Sequence, residues 1–245
     1  MSAGAADPPA LRAVVLDMDG VVVDSEPVSL EVIAELLAEH GSPVEEDALR
    51  ALVGVPLATV MGRVAAMMPV PVDVAPLLAE YRRRYLPRLE ARATATPGLR
   101  ELIDGVRSAG WGLAMATSSS PAEARVVLRA LDLVGRFDVV VTAADVARPK
   151  PAPDLYLLAT ARLAVAPHEA IAVEDSSSGL RAALAARVTC VAVATATSRG
   201  QDHAGAALVV SSLTELSVDR FRLVHREASR SWPAGRAPLR SRSSG

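Results

Sequence analysis

Apolar positions along this 245-residue chain fall into two rhythms that alternate. Short runs of consecutive aliphatic residues, each stopped by turn-forming or small polar residues, predict strands at 12–17 (RAVVLD), 112–117 (GLAMAT), 138–142 (DVVVT), 170–174 (AIAVE), 188–193 (VTCVAV) and 207–211 (ALVVS). A run that is apolar at successive positions buries both faces, the condition of a strand inside a parallel sheet. Between the runs the spacing changes to that of helices. Thr96-Pro97 precedes Leu99, Leu102, Ile103 and Val106, and Ser120-Pro121-Ala122-Glu123 combines a capping box with proline at the first helical position. Strand and helix in alternation predict an α/β fold, a doubly wound, Rossmann-like parallel sheet covered by helices.

Residues 26–93 interrupt that alternation. They carry helical spacing only, at Val28/Val32/Leu36, at Val60/Val64 with Met67 or Met68, and at Leu77/Leu78/Tyr81/Tyr85. So long a stretch without a strand, placed between the first and second sheet elements, is expected as a small all-helical cap domain, with crossings near 24–27 and 92–96 as hinges. The core then comprises 11–25 and 94–219. Residues 1–10 are expected to be a disordered N-terminus, and 220–245 a basic tail without fixed structure, because REASRSWPAGRAPLRSRSSG lacks periodicity and is rich in Arg, Ser, Pro and Gly.

Charge and composition narrow the function classes. The net charge is −2, but residues 220–245 hold seven arginines and one acid (+6), so the preceding residues hold 19 basic and 27 acidic groups (−8) and present no face for nucleic acid. No run of eighteen apolar residues and no basic-then-apolar leader occurs, so neither a membrane span nor a secretory signal is expected, and the chain reads as cytoplasmic and monomeric. The single cysteine, Cys190, lies in an apolar run and reads as a buried, inert thiol. Of the 26 lysines and arginines only Lys150 is a lysine, which marks a position that needs a compact ammonium rather than a planar fork.

The strongest candidate chemistry is Asp17-Met18-Asp19-Gly20, directly after the first strand. Two carboxylates one residue apart at the carboxyl end of a buried strand sit where open α/β sheets bind ligands, and one could attack or hold a metal while the other moves protons. A turn or a helix cap would use the same residues. Thr117 and Ser118 close a later strand, where a hydroxyl and adjacent N–H groups could cradle a phosphoryl group, or simply start a helix. Lys150 is fixed between Pro149 and Pro151, and Glu174-Asp175 closes another strand with hard oxygen donors suited to Mg²⁺, or caps the helix that follows.

DMDGVVVDSEP, MATSSS (115–120), PKPAPDLY (149–156) and VEDSSSG (173–179), in that order, resemble the signature of the haloacid dehalogenase superfamily, in the branch with a helical cap inserted after the first motif. The resemblance covers roughly residues 12–215. It implies an aspartyl-phosphate phosphatase in which Asp17 is the nucleophile and Asp19 the general acid and base. It further implies Thr117, Ser118 and Lys150 around the phosphate. Mg²⁺ would be held by Asp17, the backbone carbonyl of Asp19, Asp175, and Glu174 directly or through water. The implied partner is a small phosphorylated metabolite, with neither nucleic acid nor membrane.

Branches of that superfamily differ in ways this chain can be tested against. Its dehalogenases lack the second aspartate, and its phosphonate-cleaving members need a cap lysine, absent here. Beta-phosphoglucomutases share the four motifs, but carry cap cations near the stretch that reads ALVGVPLATV here, with Val53 and Leu57 in their place, and a histidine where Ser29 falls. A sugar-phosphate phosphatase is therefore expected, with a mutase and a non-catalytic phospho-ligand binder as the alternatives. Glu26, Arg63, Tyr81 and Arg84 are the candidate cap residues for substrate, Glu26 foremost because it follows the signature at the hinge.

Overall fold

The computed structural model describes residues 10–231 except 53, 54, 56, 196, 197 and 199. Its elements in chain order are β1 (Ala13–Leu16), α1 (Glu26–Glu39), α2 (Glu46–Arg50), α3 (Leu57–Met67), α4 (Val74–Arg92), α5 (Leu99–Ser108), β2 (Gly112–Ala116), α6 (Pro121–Ala130) and β3 (Val139–Val141). Then come α7 (Asp154–Arg162), β4 (Ala170–Glu174), α8 (Ser177–Ala185), β5 (Thr189–Val193), β6 (Leu208–Val210) and α9 (Val218–Ser231). The six strands form one parallel sheet in the order β3-β2-β1-β4-β5-β6. β1 thus stands between β2 and β4, where the chain winds off in opposite directions.

Each predicted strand is present within a residue or two of its expected ends. The consecutive-apolar pattern is explained by burial on both faces. Val14 and Leu16 pack into one hydrophobic cluster with Leu113, Met115, Ile171 and Val173, while Ala13 and Val15 pack into the other with Ala114, Ala116 and Ala172. Small alanines on the second face let α7 and α8 approach the sheet closely.

The stretch 26–92 contains four helices and, among the described residues, no strand. α1 and α4 pack side by side, and their outer faces are laced by Arg84 to Glu39 (2.7 Å), Arg88 to Glu35 (2.8 Å) and Arg92 to Glu31 (2.6 Å). The two crossings between helices and sheet run alongside each other. Val23 bridges Ala95, Asp24 N donates to Thr94 O (3.1 Å), and Thr96 N donates to Val22 O (3.3 Å).

Two local expectations need revision. α6 starts with the expected capping box, Ser120 Oγ accepting from Glu123 N and Glu123 Oε2 from Ser120 N (2.6 Å), but α5 is entered through Gly98 at φ +89° with no side-chain cap. Thr96 instead donates its hydroxyl to Val21 O, tying the second crossing to the loop after β1. Residues 220–231, expected within the basic tail, are helical. α9 buries Phe221, Val224 and His225 against the core, and His225 Nε2 lies 2.8 Å from His168 O. Apolar residues at 221 and 224 on one face outweigh the arginines that occupy the other. Residues 232–245 and the expected N-terminal tail, 1–9, lie outside the described residues. No described helix is long and apolar enough to cross a membrane.

Candidate active site

β1 delivers Asp17 to the carboxyl edge of the sheet, where its amide still bonds Val173 O at 3.0 Å. Thr117 leaves β2 in the same way, its amide bonding Val141 O at 2.9 Å, and Glu174-Asp175 ends β4. Because these strands are neighbours, three strand ends bring the four side chains into one crevice at the switch point of the sheet. Lys150 enters from the loop between β3 and α7. Its Nζ lies 2.6 Å from Glu174 Oε1 and closer still to Asp17 Oδ1. All five residues are buried.

The carboxylates here are held against their own chemistry. Burial, then the charge of Glu174, pushes Asp17 up to about 8 in spite of Lys150 beside it. Burial, Asp17 and Glu174 push Asp175 well above the usual carboxylate range. Burial also opposes the Lys150 ammonium, yet Asp17 and Glu174 together hold it above its ordinary value. Carboxylate oxygens of Asp17, Glu174 and Asp175 lie within 4.8 Å of one another. One lysine does not neutralise them, and an all-oxygen, desolvated donor set of this kind fits a hard divalent cation such as Mg²⁺.

Glu174 is the most enclosed of the three. Oε1 takes Lys150 Nζ and the Tyr156 hydroxyl (2.5 Å), and Oε2 takes Ser176 Oγ (3.2 Å). Gly179, in the first turn of α8, leaves room for it, since a Cβ there would sit 1.8 Å from Glu174 Oε1. Gly20 does the same for Asp175, with φ +76° and a would-be Cβ 2.1 Å from Oδ2.

Asp19 stands apart from that cluster. Ser25 Oγ donates to its Oδ1 (2.5 Å) and Ser119 Oγ to its Oδ2 (2.8 Å), so it is half-exposed and held at both oxygens, in reach of solvent and of Asp17's crevice. Ser118 is exposed at the mouth of the same crevice, and Ser119 N donates to Thr117 Oγ1 at 2.9 Å.

Above these groups a cavity of about 570 Å³ separates sheet and helices. Asp17, Asp19, Thr117, Ser118, Lys150 and Asp175 line its floor, and Leu30, Ile33, Tyr81 and Tyr85 its roof. Of the cap residues named from the sequence, Glu26 and Tyr81 line it. Arg84 is turned out into ion pairs with Glu39 and Glu80, and Arg63 is exposed on α3. Tyr81 bonds Ser29 (2.8 Å) and stacks on Tyr85 with ring centroids 5.1 Å apart. Leu57 lines the cavity as expected of an apolar replacement, while Val53 lies outside the described residues. Cys190 is fully buried, and burial raises its thiol well above the ordinary range.

Sequence reasoning passed over Tyr156, Ser25, Ser119 and Arg82. Tyr156 lies inside the quoted motif, but an aromatic in a helical apolar pattern reads as core. Ser25 and Ser119 also lie inside quoted motifs, but no spacing marks them as partners of Asp19. Arg82 sits in a run of three arginines that nothing in the sequence tells apart.

The haloacid dehalogenase-like hydrolase family model matches residues 14–193. The phosphorylated carbohydrates phosphatase of Thermotoga maritima is 34% identical over 182 residues, covering 73% of this chain and 82% of that protein. The fructose-1-phosphate phosphatase of Escherichia coli is 32% identical, covering 73% and 94%. The crystal structure of CbbY from Rhodobacter sphaeroides in complex with phosphate superposes with a TM-score of 0.74 at 30% identity, covering 84% and 96%. The chain belongs to the haloacid dehalogenase-like hydrolase family and is an enzyme of its phosphatase type.

Proposed function

We propose that this phosphatase hydrolyses a small phosphate monoester, a sugar phosphate in the first instance, with Mg²⁺ and through an aspartyl-phosphate intermediate. The observation that carries the reading is the convergence of Asp17, Lys150 and Asp175 at three buried positions around one crevice, with Asp19 held separately beside it. Asp17 attacks phosphorus in line, and the ester oxygen leaves with its electron pair. Asp19 gives that oxygen a proton, then takes one from the water that releases phosphate. Thr117, Ser118 and the Lys150 ammonium bind the phosphoryl oxygens as charge develops on them. Asp17, Asp175 and the Asp19 backbone carbonyl would hold Mg²⁺, with Glu174 direct or through water, and the ion would supply further neutralisation of the phosphoryl oxygens.

Residues 26–93 act as the cap that excludes water and reads the rest of the substrate, the paired crossings serving as its hinges. The relatives that act on phosphorylated carbohydrates and on fructose 1-phosphate support a sugar phosphate as substrate, and a cytoplasmic setting suits such a metabolite. Apolar Leu57 in the cavity favours water over a second phosphosugar as acceptor.

The test is release of phosphate from para-nitrophenyl phosphate and a panel of sugar phosphates with Mg²⁺, with isomerisation of beta-glucose 1-phosphate followed in parallel. Turnover that vanishes in a folded Asp17→Asn variant supports the reading. Well-folded wild type inactive across the panel, or isomerisation faster than hydrolysis, overturns it.

A further inference from the structure

Helix α4 carries Arg82, Arg83, Arg84, Arg88 and Arg92, and all but one are spent on carboxylates. Arg83 pairs with Glu80, Arg84 with Glu80 and Glu39, Arg88 with Glu35 and Glu31, and Arg92 with Glu31. Arg82 has no ion pair among the described residues. Its Nε is buried without a hydrogen-bond partner, and the residue lines the cavity above Asp17 and Lys150. Leaving a buried donor unmatched costs roughly 1–3 kcal/mol, so the position demands an explanation.

Charge in the cavity supplies one. Its described lining holds two cations, Lys150 and Arg82, and Lys150 is committed to Asp17 and Glu174. Of the helical-side and loop carboxylates that face the same space, Glu123 is turned back onto Ser120 N at 2.6 Å, and Glu26 makes no ion pair with Arg82. The Arg82 guanidinium, its Nε unmatched, therefore lines the cavity from the helical side beside Tyr81, where the remaining lining is largely apolar apart from Glu26, Ser25 and Ser29. A guanidinium presents donors in a fork that matches a carboxylate or a phosphate.

We propose that Arg82 is a specificity-determining residue that binds a second anionic group, remote from the phosphate being transferred. The inference rests on the phosphatase reading for what happens at the other end of the substrate. It adds that the substrate carries a carboxylate or a second phosphate, because a neutral hydroxyl accepts a single hydrogen bond from Nε but answers neither the charge nor the fork of the guanidinium. Arg82 touches the remote end only and takes no part in the chemical step.

Matched pairs of substrates that differ in the remote anion test this on the full chain with Mg²⁺. Fructose 1,6-bisphosphate against fructose 6-phosphate tests a second phosphate, and 6-phosphogluconate against glucose 6-phosphate a carboxylate. Wild type is expected to favour the doubly anionic member of at least one pair by about tenfold or more in kcat/KM, mainly through KM. That ratio falls to about one in Arg82→Ala and is partly kept in Arg82→Lys, and the pair that responds identifies the anion. Absence of preference in wild type, or a preference that survives Arg82→Ala, overturns the proposal. If Arg82→Ala fails to fold, Arg82→Met takes its place. The same pairs titrated calorimetrically into Asp17→Asn read the Kd ratio without turnover. Loss of all turnover in wild type would thus defeat the phosphatase reading and leave the role of Arg82 still decided by binding.

Discussion

At the scale of single residues, the site is an exercise in compensating buried charge. Lys150 is the compact cation lodged between Asp17 and Glu174, and removing it leaves two buried carboxylates facing each other. Lys150→Ala should lose activity and about 3–5 kcal/mol of stability near neutral pH in urea unfolding. Lys150→Arg should not restore activity, because a planar fork does not fit where a point charge reaches two oxygens at once. Asp19 is held by two hydroxyls rather than by a cation, and in the proposed mechanism it carries the proton. Asp19→Asn should lower kcat by roughly 10²–10⁴-fold without a comparable change in unfolding, measured on para-nitrophenyl phosphate. The lone lysine and the paired aspartates were legible as candidates because their residue types are unusual where they stand. The hydroxyl of Tyr156 on Glu174 was not, since a phenol shows its partner only once the helix is laid on the sheet.

At the scale of elements, strand ends and helix starts do the positioning. α8 begins at Ser177 so that its first turn passes beneath Glu174, and only a residue without Cβ fits at 179. Gly179→Ala should displace Glu174 and with it Lys150, with a large fall in kcat and about 1–3 kcal/mol lost, read by turnover and thermal melting together. α9 teaches the opposite lesson about sequence. Its run of arginines looks like solvated tail, yet Phe221 is fully buried, and Phe221→Ala should cost about 3–5 kcal/mol in chemical unfolding while leaving the crevice geometry alone. Charge on one face of a helix says nothing about whether the other face has a core to meet.

For the whole molecule, the tension at the switch point becomes a dependence on pH. Asp17 is raised from its ordinary 3.8 to about 8, so between those values the folded protein keeps a proton that the unfolded chain has released. That contribution is complete below the unfolded value and is lost as pH rises through about 8. Asp175 is shifted in the same direction, and the upward shift of Lys150 matters only in more alkaline solution. Metal-free protein should therefore melt lower at about pH 9 than at about pH 6, and Mg²⁺ should raise the melting temperature more at the higher pH. Melts with EDTA or Mg²⁺ across that range check this, and a Mg²⁺ effect independent of pH would contradict it. The sequence by itself determined the parallel α/β core and the helical spacing that follows β1, and it singled out Asp17, Asp19, Thr117, Lys150 and Asp175 as candidates. Strand apolarity, helical spacing and the chemistry of a strand end are local properties, readable one segment at a time. Only the tertiary structure decided that Arg82 rather than Arg63 or Arg84 faces the cavity, that Tyr156 and Ser176 enclose Glu174, and that 220–231 pack as a helix. Those outcomes depend on which surfaces meet across distant segments, and no local pattern carries that information.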